Sequence, residues 1–197
     1  MINDNAQHTR GIAIYDRNEP VAEEVQITGD FIDCVWCKIK LSGGGTLLTG
    51  CVNKSPSSSE ENLTNLKNMI VAAAQGKDFT HLLIMGDFLY YPNINWTTWS
   101  SSGDKDGEKF IEVIRDCYLH QRVDKNTRAR IGCEPSVLDL IFTNEVEMVE
   151  GITYCDPLGH SDHCALDFTF LCYNLRRKIP TRDGISIKAT TIRYQMN

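Results

Sequence analysis

Apolar residues along this chain fall into short blocks with two different rhythms. The run GIAIY, Gly11–Tyr15, predicts a brief strand. In CVWCKIKL, Val35, Cys37, Ile39 and Leu41 alternate with Trp36, Lys38 and Lys40, the period of two expected of a strand with two different faces. Gly43, Gly44 and Gly45 then predict a hairpin connection into a strand over Leu47–Val52. The rhythm changes after that. Ser58 and Glu61 have the spacing of a capping box, and Leu63, Leu66, Ile70 and Ala73 recur behind them at helical intervals. HLLIMGD, His81–Asp87, stays apolar until Gly86, as a strand buried on both faces does. A loop rich in aromatic and polar residues follows over 89–106. A helix over 107–117 would place Phe110, Ile114 and Cys117 on one side. Beyond a polar loop at 124–135, Val137–Thr143 and Ala165–Cys172 read as core strands. Strands and helices mixed in this order predict an α/β or α+β domain with a layered core.

Composition adds limits to this picture. With 197 residues, 42% of them hydrophobic, the chain can bury a core without disulfides or a structural metal. Its longest apolar stretches, such as Leu82–Met85, are far too short to span a bilayer, and its start, MINDNAQHTR, has no apolar signal region. The expectation is an intracellular protein, nuclear or cytoplasmic, with no membrane partner. The eight cysteines then read as reduced thiols. Cys34 and Cys37 form a CxxC, but residues three apart on a strand point to opposite faces and cannot share one zinc ion.

The net charge of −6 is unevenly spread. From Asn174 onward there are six basic residues against one acidic, whereas the preceding body holds 14 basic against 25 acidic. Three segments follow: a disordered N-terminus over 1–9, a domain over 10–173, and a basic tail or linker over 174–197. An acidic body argues against binding nucleic acid by charge alone and suits carboxylates gathered around a cation.

Three acidic features carry candidate chemistry. Asp87 closes the buried strand HLLIMGD, where a carboxylate is placed to meet a ligand. Asp139 shares an apolar strand face with Val137 and Ile141, a costly position unless something pairs with it. Gly159-His160-Ser161-Asp162-His163 is a loop just before the final strand, with a carboxylate and an imidazole side by side. Structural readings stand beside each. Asp87 also reads as a turn cap, Asp139 as the partner of Arg128 or Arg130, and Ser161-Asp162 as a local turn.

Taken together, RGIAIYDRN, VWCKIKL, LLTGCVNKSPSSSEEN, HLLIMGDFLYYPNINW, PSVLDLIFTN and PLGHSDHCALDF resemble the endonuclease/exonuclease/phosphatase superfamily, in the branch carried by non-LTR retrotransposons. The resemblance spans residues 10 to 172 in the family's order. It implies a four-layer sandwich of two packed β-sheets flanked by helices, lacking here the family's first strands, and Mg²⁺- or Mn²⁺-dependent cleavage of a DNA phosphodiester. By position it implies that Asp87 orients and deprotonates the attacking water and also serves the metal. Asp162 becomes a metal-site carboxylate, His163 the histidine at the scissile phosphate, Asp139 the carboxylate that orients His163, and Ser161 a substrate contact.

The chain also departs from the family pattern. Leu89 stands where the GDFN motif has asparagine, Asn53 where the family has a phosphate-reaching tyrosine, and the metal-binding glutamate of the family's early strands has no counterpart. Losing one preorganised group in such a site costs about 10²–10³ in rate. The expected function is therefore a retrotransposon-type endonuclease domain with weak or lost turnover and a weakly held cation. The missing strands would leave a sheet edge open to self-association. A non-catalytic binding module of the same fold and a phosphatase of the same superfamily are the alternatives.

Overall fold

The computed structural model describes residues 2–4, 11–15, 22–41, 44–55, 58–88, 93–171 and 184–189, with backbone alone for 2–4, 11 and 184–189. Two short strands, β1 (Ile2–Asp4) and β2 (Gly11–Ala13), pair antiparallel. β3 (Ala22–Val25), β4 (Cys34–Lys40) and β5 (Thr46–Lys54) form a meander. The helix α1 (Glu60–Gln75) then crosses over to β6 (His81–Phe88), which runs parallel to β5. After the two-residue strands β7 (Ile94–Asn95) and β8 (Ser100–Ser101) come α2 (Lys105–Asp116), β9 (His120–Gln121) and β10 (Asp139–Thr143). β11 (Val149–Cys155), β12 (Ala165–Leu171) and β13 (Gly184–Ala189) complete the chain order.

The main sheet has six strands in the order β3-β4-β5-β6-β10-β9, and the second has three, β11-β12-β13. Alternation along the central strands decides what each face covers. Leu82, Ile84 and Phe88 of β6, with Leu140 and Phe142 of β10, pack against Leu66, Ile70, Phe110 and Ile114 of the two helices. Leu83 and Met85 of β6, with Ile141 of β10, face the other way and pack against Leu166, Phe168 and Phe170 of β12. Two sheets packed face to face with helices outside is the architecture the motifs imply. Among the described residues, both helices cover the six-stranded sheet.

Local details differ from expectation at several points. Ser59, not Ser58, caps α1: its Oγ accepts from Asn62 N at 3.1 Å, while Ser58 Oγ accepts from the Asn62 side chain. Asp104 caps α2, its carboxylate accepting from Asp106 N, so that helix starts two residues early. β11 escaped the reading because a register shift between Glu150 and Thr153 breaks its alternation. β3 escaped it because it is short and carries exposed Glu23 and Glu24. Ile2–Asp4, in the segment expected to be disordered, is a strand. Gly184–Ala189, inside the span expected as a tail, pairs with β12. The rest of both segments lies outside the described residues.

Candidate active site

The buried run of β6 ends where Gly86 makes an unusual approach possible. Its φ is +145°, and a Cβ there would lie 1.9 Å from the Val52 carbonyl oxygen of the neighbouring strand. Only glycine tolerates that contact, and it delivers Asp87 to the end of the sheet. Register does the rest. Asp87 faces Asp139 across β6 and β10 and Asn53 across β5 and β6. Residues opposite each other share a face, so both aspartates project between the two sheets.

His163 arrives from the other side, in the loop that feeds β12. Its Nδ1 lies 2.7 Å from Asp139 Oδ2, and the ring is fully buried. Asp139 therefore pairs with histidine, not with Arg128 or Arg130. Single ligand atoms of Asp87, Asp139 and His163 all lie within 4.8 Å of one another. Oδ1 of Asp139 is buried with no hydrogen-bond partner among the described residues, an oxygen that a cation or water would satisfy. A small divalent cation fits the two carboxylates on that ground.

Asp162, expected as a second cation ligand, is placed differently. Its Oδ2 accepts from Arg128 Nε at 2.8 Å, and its Oδ1 is 3.9 Å from His163 Nε2. Burial works against its charge, but the bond and charge of Arg128, with help from His163, outweigh burial and hold its carboxyl below the usual range. Ser161, expected to touch substrate, accepts from His163 N through Oγ at 3.1 Å, which shapes the loop. Leu89 lies outside the described residues, whereas Asn53, at the position of the family's tyrosine, stands opposite Asp87 across β5 and β6.

Two residues at the site gave little sign of themselves in the sequence. Thr127 is 1% exposed in a segment that reads as a polar loop. Its Oγ1 accepts from both Leu138 N and Asp139 N at 3.0 Å, and its carbonyl accepts from Cys164 N at 2.8 Å. One residue thereby ties the strand carrying Asp139 to the segment carrying His163. Lys54, at the end of β5, is fully buried and donates to Ser55 O. Burial pushes its ammonium down to about 8 despite the attraction of Asp87 and Asp106. A lysine closing a largely apolar strand next to the Asp87 strand was the available signal.

Comparison with solved structures places this fold in a known class. The chain matches the "Endonuclease domain of TRAS1, a telomere-specific non-LTR retrotransposon" with a TM-score of 0.55 and 20% identity, over 76% of this chain and 67% of that one. A second overlap, with beta toxin from Staphylococcus aureus, has a TM-score of 0.37 and 12% identity over 66% of this chain and 52% of the toxin. Likeness that faint carries no argument. No curated protein matches the chain. A family model described as endonuclease-reverse transcriptase matches residues 51–167. The chain belongs to that family, within the endonuclease/exonuclease/phosphatase superfamily, and shares its fold with the retrotransposon endonuclease domain.

Proposed function

We propose that this chain is a retroelement-type endonuclease domain, residues 10–173, that hydrolyses DNA phosphodiesters slowly and with a divalent cation. The observation that carries the reading is the buried Asp139–His163 bond of 2.7 Å with Asp87 gathered beside it. A carboxylate on Nδ1 fixes the ring and leaves Nε2 as the nitrogen that faces a substrate phosphate. Asp87, facing Asp139 across the strands, holds and deprotonates the attacking water. Asp87 and Oδ1 of Asp139 would hold Mg²⁺ or Mn²⁺. Bound there, the cation supplies Lewis-acid polarisation of a phosphoryl oxygen. Two protein carboxylates make a thin set for a cation that sheds water reluctantly, so affinity is weak before DNA arrives. An open cleft of about 480 Å³ between Ile94–Thr97 on one side and Arg122, Val123, Ser136 and Val137 on the other lies beside the segment that leads into β10 and has room for a nucleotide.

No helix among the described residues is long and apolar enough to cross a membrane. Self-association through the β3 edge is opposed by its exposed glutamates. The test is nicking of supercoiled plasmid in Mg²⁺ and in Mn²⁺, beside His163→Ala. Slow, metal-dependent nicking that His163→Ala abolishes is expected. No nicking in either metal would remove the hydrolase reading and leave a binding module; fast nicking would show that Asn53 and Leu89 cost nothing.

A further inference from the structure

Next to the His–Asp pair stands a cation with donors to spare. Arg128 uses Nε on Asp162 Oδ2, and Asp162 Oδ1 approaches His163 Nε2 to 3.9 Å. The guanidinium thus lies one carboxylate's width from the ring nitrogen opposite the Asp139 bond. Its backbone is fixed from several sides. Arg128 N donates to Ser136 O, Ala129 N donates to Asp162 O, and Arg128 pairs with His163 across an antiparallel bridge. Both Nη groups make no hydrogen bond among the described residues, and the side chain is 23% exposed, so the fork reaches water. A guanidinium presents five donors in a plane that matches phosphate oxygens two at a time.

Asp162 tells the same story from the other end. One of its oxygens is committed to Arg128, and it is not in the group of side chains able to share a cation. A metal ligand whose charge is already neutralised by a guanidinium offers a second cation little attraction.

We propose that Arg128 contacts the substrate phosphate and that Asp162 orients Arg128 and does not ligate the metal, an inference that rests on reading this site as a DNA phosphodiesterase. The fork supplies a phosphate contact in a chain that has Asn53 and Leu89 at two positions where the family's own contacts stand. Arg128 is the residue that touches substrate; Asp162 acts through it.

The test uses the full chain and two binding measurements that need no turnover. Fluorescent duplex binding is followed in EDTA over a range of salt. Arg128→Gln should weaken binding about tenfold on every sequence and lower the salt slope by about one. Arg128→Lys should keep the slope but lose the fork, lowering nicking kcat with KM nearly unchanged. Calorimetric titration with Mn²⁺ alone should give Asp162→Asn the affinity of the unmutated chain, whereas loss of a true carboxylate ligand would cost about tenfold or more. An unchanged salt slope in Arg128→Gln overturns the proposal, as does a tenfold loss of Mn²⁺ affinity in Asp162→Asn. If Arg128→Gln does not fold, the Arg128→Lys kinetics and the Asp162→Asn titration decide it. Failure of the hydrolase reading shows separately, as absent nicking by the unmutated chain, with both binding measurements still readable.

Discussion

Asp139 and His163 meet through a 2.7 Å hydrogen bond although they are 24 positions apart, one on a strand of the main sheet and the other in a loop outside it. The bond closes the gap between β10 in the main sheet and the loop before β12. Asp139→Asn keeps the shape but removes the anion, so the ring loses the group that fixes its tautomer. Nicking should fall about 10²–10⁴-fold. The unmutated chain should show a downfield ring-proton signal by NMR, and Asp139→Asn should lose it. Retained nicking and a retained signal would show that the pair has no part in turnover.

Thr127 gives a sharper test of how that pair is held. Thr127→Val preserves volume but strands two buried amide donors, Leu138 N and Asp139 N, at about 1–3 kcal/mol for each unsatisfied group. Thr127→Ser keeps the oxygen and should stay close to the unmutated stability. Urea unfolding of both variants separates the hydroxyl from the methyl: equal losses would mean that packing, not hydrogen bonding, matters at this position.

At Gly86 the prediction concerns the backbone. A methyl group would sit against the Val52 carbonyl and would also demand a φ of +145° from an L-residue. Gly86→Ala should therefore destabilise the chain by more than about 3 kcal/mol, among the larger values that single substitutions reach. A thermal melt within a few degrees of the unmutated chain would mean that β5 and β6 are not this close.

Lys54 sets a pH dependence whose sign can be worked out. Burial lowers its folded pKa to about 8, and an unfolded lysine stays near ~10.4. Between these values the unfolded chain binds more protons, so stability rises with pH through that window. Below it, the buried ammonium works against folding. Lys54→Met should raise stability at pH 7 by about 1–3 kcal/mol, as replacing buried charge often does. That gain should shrink as pH climbs from 8 to 10; a gain that is constant with pH would show that burial of the charge is not its source.

The chain's own residues determined a good deal. Alternation in CVWCKIKL and continuity in HLLIMGD marked β4 and β6 because a strand's faces are written at a period of two, whatever it packs against. The stripe Leu63, Leu66, Ile70 and Ala73 marked α1 for the same local reason at a period of 3.6. Motif order carried the candidate site, since Asp87, Asp139 and the Asp162-His163 pair each sit at a strand end or in the loop beside one. Tertiary structure decided between the pairings that the residues by themselves left open. Read from the residues alone, Asp139 had Arg128 or Arg130 as a partner, whereas the family resemblance implied His163, and the packing of β12 against the main sheet brings His163 there. Arg128 went to Asp162, and Thr127, hidden in a polar loop, proved to tie the strand of Asp139 to the segment of His163. Periodicity records which way a side chain faces; it cannot record which side chains from distant segments arrive at the same few ångströms, because that is set by how two sheets dock.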